Sequence, residues 1–169
     1  MTVPRATRPH MPGYGTLPAD QGTGLLPWSW AEKRLRDSHD YWLATVWPDG
    51  RPHLMPVWGV WHDEALWFSS SRSARKVRNL EVNPAVTVST DDALNPVVLE
   101  GVAKVVRDTV SVRAFLQALN GKYRTDYGTD FLDPAVNATV RVRPRWVFGL
   151  DGRDFGGSPT RWDFTADRR

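Results

Sequence analysis

The chain has 169 residues, 41% hydrophobic and 24% charged, which suits one soluble globular domain with a real core. It has no cysteine, which excludes disulfide, thiolate and Cys-ligated metal chemistry. The net charge of +3 favours anionic small molecules but is too small to argue for nucleic acid, and no apolar run approaches the ~20 residues of a membrane span.

Residues 1–27 are rich in proline and glycine, without periodicity, and read as an arm that could drape over a partner subunit. Residues 28–169 read as a single domain. Residues 1–16 lack the apolar stretch of a secretory signal, so a cytoplasmic location is expected. Ser29 and Glu32 have the spacing of a capping box, which predicts a helix to about Ser38. Residues 41–47 are rich in strand formers, and Pro48-Asp49-Gly50 is a turn. A long strand is then expected over residues 52–61. Both of its faces are mostly apolar, so both should be covered. Pro56 removes a ladder donor, which calls for a bulge or an unpaired edge there. His62-Asp63-Glu64 turns the chain into a third strand, completing an antiparallel meander.

Residues 65–80 are the most informative stretch. Residues 65–69 suit a strand and residues 73–82 a helix, ended by Asn83-Pro84. Between them lie Ser69, Ser70, Ser71, Arg72 and Ser73, followed by Ala74, Arg75 and Lys76. Cations in the first turn of a helix oppose its dipole, so they stabilise nothing locally unless an anion sits among the free N–H groups. Two readings stand: a phosphate site, or a solvated basic turn. Further strands are expected over residues 85–90, 96–106, 136–142, 146–150 and 161–164, with a bulge at Gly101. Asp108 or Thr109 caps a helix running to about Tyr123. Six or seven antiparallel strands with two or three helices suggest a small barrel. His10, His39 and His62 lack metal-ligand spacing, so no metal is expected. Nine tryptophans are unusual; Trp58, Trp61 and Trp67 suit either a core or interface, or a pocket for an aromatic ring.

The ordered set Leu43-Ala44-Thr45-Val46, Asp49-Gly50-Arg51-Pro52-His53, Pro56-Val57, Leu66-Trp67-Phe68-Ser69, Ser73-Ala74-Arg75-Lys76 with Asn79-Leu80, Asn83-Pro84 and Leu99-Glu100-Gly101 resembles the pyridoxamine 5'-phosphate oxidase-like superfamily of flavin and deazaflavin reductases. The resemblance implies a mainly β fold with peripheral helices: a six-stranded antiparallel split β-barrel, FMN-binding-protein-like, forming a homodimer with the cofactor groove at its interface. Arg75 and Lys76 would hold the cofactor phosphate. Ala74 stands where the oxidases carry a serine, and Ser69, Ser70, Ser71 and Ser73 could supply hydroxyls instead. The strand carrying Met55, Pro56, Val57 and Trp58 would run along the ring system, and His53 either faces the ring or is a satisfied strand residue. The tryptophan-rich strands and the closing Arg161-Trp162-Asp163-Phe164 look more like the reductases that use coenzyme F420. FMN is the alternative. The implied activity is hydride transfer to an unsaturated or quinone-like small molecule, and the further alternative is a binding protein without turnover. Trp146, Arg161 and Trp162 could close the partner's pocket.

Overall fold

A computed structural model of the chain describes residues 3–165. The elements, in order, are β1 (Arg5–Thr7), α1 (Trp28–Asp37), β2 (Asp40–Val46), β3 (Pro52–Trp58), β4 (Val60–His62), β5 (Ala65–Ser71), α2 (Arg75–Val82), β6 (Ala85–Thr90), β7 (Val97–Val106), α3 (Thr109–Tyr123), β8 (Asn137–Gly149) and β9 (Thr160–Asp163). All nine strands belong to one antiparallel sheet, in the order β1-β9-β8-β7-β6-β2-β3, with β5 on β8 and β4 on β5. β8 shares one edge between two neighbours: residues 137–142 pair with β5 and residues 146–149 with β9. The sheet curls but does not close, because β3 pairs only with β2 and leaves a slit toward β5. This is the mainly β, split-barrel architecture with peripheral helices, carried by more strands than the expected six.

Two apolar clusters hold it. The interior one includes Tyr41, Leu43, Leu66, Phe68, Val88, Leu99, Val140, Val142 and Trp162, and α1 and α2 close it with Leu35, Val77 and Leu80. The second lies under α3, where Phe115, Leu116 and Leu119 pack on Val60, Ala65, Trp67 and Val106. Residues Ala65 to Phe68 are all buried because β5 is covered on both faces.

Several expectations change. Ser29 caps nothing: α1 starts at Trp28 behind an extended Pro27, and Glu32 instead accepts from the Arg36 guanidinium and the Trp61 indole. A tertiary partner has outcompeted the local box. The expected long strand breaks at Gly59, so the three-strand meander becomes two separate hairpins. A Cβ at Gly59 would sit 3.0 Å from the Trp67 carbonyl oxygen and 3.1 Å from the Tyr41 ring. The expected strands 136–142 and 146–150 are one continuous strand of 13 residues. Its Pro144 lies at a register shift opposite Glu100 and Gly101, where the extra residue Arg145 absorbs the lost N–H. The Gly101 bulge is present, and a Cβ there would lie 2.3 Å from the Arg143 carbonyl oxygen. Pro56 pairs in register with Trp42, so β3 has an open edge rather than a bulge. Its outer face is not covered in the single chain: Leu54 and Trp58 on β3 and Trp42 on β2 are 57%, 45% and 44% exposed.

Candidate functional site

The bend between β5 and α2 gathers the cations. Ser70 continues the inward face of Leu66 and Phe68, and its Oγ accepts from Lys76 Nζ at 3.3 Å. Burial pushes the Lys76 pKa below the usual lysine range. Ser71 and Ser73 hydroxyls meet at 2.9 Å, and the Ala74 N–H donates to the Ser71 carbonyl, which tightens the turn. Ala74, not Ser73, precedes the helix and offers no side-chain cap. The N–H groups of Arg75 and Lys76 open the helix, so no helical carbonyl reaches them. Among the described residues, no carboxylate lies within 4.0 Å of Arg75, Lys76 or Arg78.

The ends of β2 and β3 form the facing wall. Arg75 stacks its guanidinium over Trp47, 3.9 Å from the ring centroid, and Arg51 covers the same ring at 4.5 Å while pairing with Asp49 at 2.9 Å. His53 is half-buried, edge-on to Trp47 at 6.2 Å, with Nδ1 3.4 Å from Thr45 Oγ1. Thr45 in turn accepts from Asn79 Nδ2 at 3.0 Å. Asn79 is fully buried one helical turn after Lys76, and its Oδ1 has no partner. Thr45, Trp47, Arg51 and Asn79 therefore belong to this corner; Thr45, Arg51 and Asn79 stand in the ordered motif set, but no signal in the sequence assigns any of the four a role in the site.

The remaining predicted site residues are spread along β3 and β5. Met55 shares the inward face of β3 with His53 and Val57, but at the slit it stays 43% exposed. Val57 is buried in the core. Pro56 lies on the exposed outer face, in register with Trp42. Trp58, at the far end of β3 from His53, stacks on Tyr123 with centroids 4.3 Å apart. Ser69 points to the other side of β5 from Ser70, along with Trp67. Trp61 and Trp67 are core residues. Trp162 is completely buried and cannot reach a partner, whereas Arg161 stacks on Trp146 at 4.9 Å near the surface. Chemically the corner is a donor set of ammonium, guanidinium, hydroxyl and free N–H groups. Among the described residues, the one carboxylate there, Asp49, is paired with Arg51, and the excess of cations suits holding an anion.

Residues 31–151 match the pyridoxamine 5'-phosphate oxidase family. The chain belongs to that family. Its fold and sequence also resemble an F420 reductase, with 31% identity over 69% of this chain and 94% of the reductase and a TM-score of 0.57. A conserved hypothetical protein from Mycobacterium tuberculosis shares the fold at 24% identity, TM-score 0.67, over 76% of this chain and 86% of that one. A heme storage protein from Vibrio cholerae is similar at 25% identity, TM-score 0.56, over 67% of this chain and 86% of that one. No curated protein sequence matches the chain. The family places the protein among flavin-type oxidoreductase folds. Among the described residues, no helix is long and apolar enough to cross a membrane, and no group of three or more His, Asp or Glu side chains converges as a metal site would.

Proposed function

We propose that this protein is an oxidoreductase that holds coenzyme F420, with FMN as the alternative, by its phosphate at the β5–α2 bend and along the open edge of β3. The observation that carries this reading is Lys76: a partly desolvated ammonium beside an open helix start, with one serine hydroxyl for company and no carboxylate among the described residues. A phosphate group fits that donor set, and Ser70, Lys76 and the first α2 N–H groups would hold it. The unpaired edge of β3 leaves alternate backbone N–H and C=O groups of residues 53–58 free to meet a ring edge, with Pro56 contributing only its carbonyl. The cofactor supplies the hydride chemistry; this chain binds, orients and shields. F420 is preferred over FMN because of the 31% identity to an F420 reductase.

The exposed stripe of Trp42, Leu54 and Trp58 is the face we assign to a second copy of the chain, placing the groove between subunits. Titration of the apo-protein with F420 and with FMN, followed by tryptophan quenching, tests the cofactor. Incubation of the reduced complex with enones and quinones then tests turnover. Tight FMN binding without F420 binding shifts the reading to an FMN oxidoreductase. Binding without turnover leaves a carrier, a reading that the similarity to a heme storage protein supports and that a parallel heme titration separates.

A further inference from the structure

A cavity of ≈ 210 Å³ opens where the end of β7 meets the start of α3 and the loop before β8. Its floor is apolar: Val106 and Leu132 are buried and Val112 is half-buried. Its rim carries three guanidinium groups, those of Arg72, Arg107 and Arg113. Arg72 is fixed in place, donating through Nη1 to the Pro134 carbonyl at 3.1 Å and through its backbone N–H to the Val136 carbonyl at 2.9 Å. Among the described residues, no carboxylate lies within 4.0 Å of any of the three guanidiniums. The acids nearest in sequence are turned elsewhere. Asp108 accepts the Ser111 N–H at 2.9 Å, and Asp133 accepts the Ala135 N–H at 2.9 Å. Three like charges around one apolar cleft repel each other, and an anion entering it relieves that repulsion.

We propose that this cleft binds a small carboxylic acid with an apolar body, of the one-ring aryl carboxylate class. A guanidinium fork matches a carboxylate in two parallel hydrogen bonds. The apolar floor disfavours a wholly polar anion such as inorganic phosphate, which would face it with unpaired oxygens. Size agrees, since an apolar cavity of about 150 Å³ holds benzene and this one adds room for one charged group. Arg72 is the one lining residue that comes from the β5–α2 bend; Ser70, Lys76 and the first α2 N–H groups, which are assigned to the phosphate, do not line the cleft, so the two sites use different donors.

The test titrates 4-fluorobenzoate into the full chain and follows its fluorine resonance. Saturable binding is expected, with affinity falling about tenfold or more in Arg107→Ala/Arg113→Ala, two exposed positions whose loss leaves the fold intact. The uncharged 4-fluorobenzyl alcohol should bind at least about tenfold more weakly. Arg75→Ala/Lys76→Ala should leave the affinity unchanged. Equal binding of acid and alcohol overturns the proposal, as does indifference to the rim double variant or loss of binding in the bend variant. Stronger competition by inorganic phosphate than by unlabelled benzoate overturns the ligand class.

Discussion

Two lysines of this chain are partly withdrawn from water, and their surroundings differ in kind. Lys122, near the end of α3, donates to the Gly59 carbonyl at 2.6 Å and to Tyr41 Oη at 3.1 Å, and lies 4.5 Å and 5.2 Å from the ring centroids of Tyr41 and Tyr123. It closes the seam where β3 ends and β4 begins. Among the described residues, Lys76 has only the Ser70 hydroxyl. Burial lowers the pKa of both, Lys122 to about 8. Desolvation alone therefore does not mark a ligand site. The number of acceptors the protein itself supplies does: the seam is saturated by its own chain, and the bend is left short of them.

The strongest way to break this contrast is to remove the bend cations. Arg75→Ala/Lys76→Ala should weaken F420 or FMN binding by about a hundredfold or more, since each charge-assisted phosphate contact contributes on the order of 1.5–3 kcal/mol. Its stability should fall by no more than about 1 kcal/mol, because among the described residues neither side chain has a carboxylate to lose and only the Trp47 stack and the Ser70 hydrogen bond go. Unchanged affinity would put the phosphate elsewhere.

The seam should respond in the opposite manner. Tyr123 Oη accepts the Gly59 N–H at 2.9 Å and donates to the His39 carbonyl at 2.5 Å. Tyr123→Phe keeps the ring under Trp58 and leaves the buried Gly59 N–H unpaired. Stability should fall by about 1–3 kcal/mol in urea unfolding, with cofactor affinity unchanged. A joint loss of stability and affinity would mean that seam and bend are mechanically one unit.

The bend was legible in the sequence because its serines and cations are contiguous, and because a cation-rich helix start contradicts the local dipole. The seam was not. Lys122 read as one more residue of a helix, since its partners Gly59 and Tyr41 lie 63 and 81 positions away. Separation in sequence, though shorter, also hid the stacking of Arg75 on Trp47. Most of the strands and the Gly101 bulge follow from turns and alternation, which are local, but their order does not, since β2 pairs with β6 and β5 with β8. Alternation cannot say what covers an apolar face: the outer face of β3 is bare in the single chain, and its cover is the second copy we propose. The two strands expected over residues 136–142 and 146–150 err in the other direction, because only the pairing of β7 with β8 shows one strand running through Pro144 by way of a bulge.

A pH series sharpens the seam side. Lys122 titrates at about 8 in the fold against 10.5 when unfolded. Between these values the unfolded chain holds a proton that the fold has released, so stability rises with pH from about 8. The rise should be about 1 kcal/mol once solvent screening of a partly exposed ammonium is allowed for. Above pH 10 it should turn down. Burial raises the phenols of Tyr41 and Tyr123, the latter to about 12, so they stay neutral in the fold while the unfolded chain ionises them. Urea midpoints measured from neutral pH upward should show the maximum, and Lys122→Met should remove the rising limb. Midpoints that fall steadily from pH 8 would contradict the desolvation of Lys122.

The smallest effect tests how the bend holds itself ready. Trp47 takes the Arg75 guanidinium at 3.9 Å on a ring that Arg51 also covers, so Arg75 rests on an aromatic platform. Such a contact at an exposed site contributes about 0.5–1 kcal/mol. If the platform aims Arg75 toward the anion, Trp47→Leu leaves the guanidinium free to wander, and ordering it again on binding weakens the cofactor roughly two- to fivefold. If Arg75 must instead leave the ring to meet the anion, the same substitution frees it and tightens binding by a similar factor. The geometry favours the first outcome. Arg51 is tied to Asp49 and keeps the ring in place from one side, which makes Trp47 a fixed support for Arg75 rather than a competing guest. Tighter binding in Trp47→Leu would reverse that assignment while leaving Lys76 as the principal phosphate ligand.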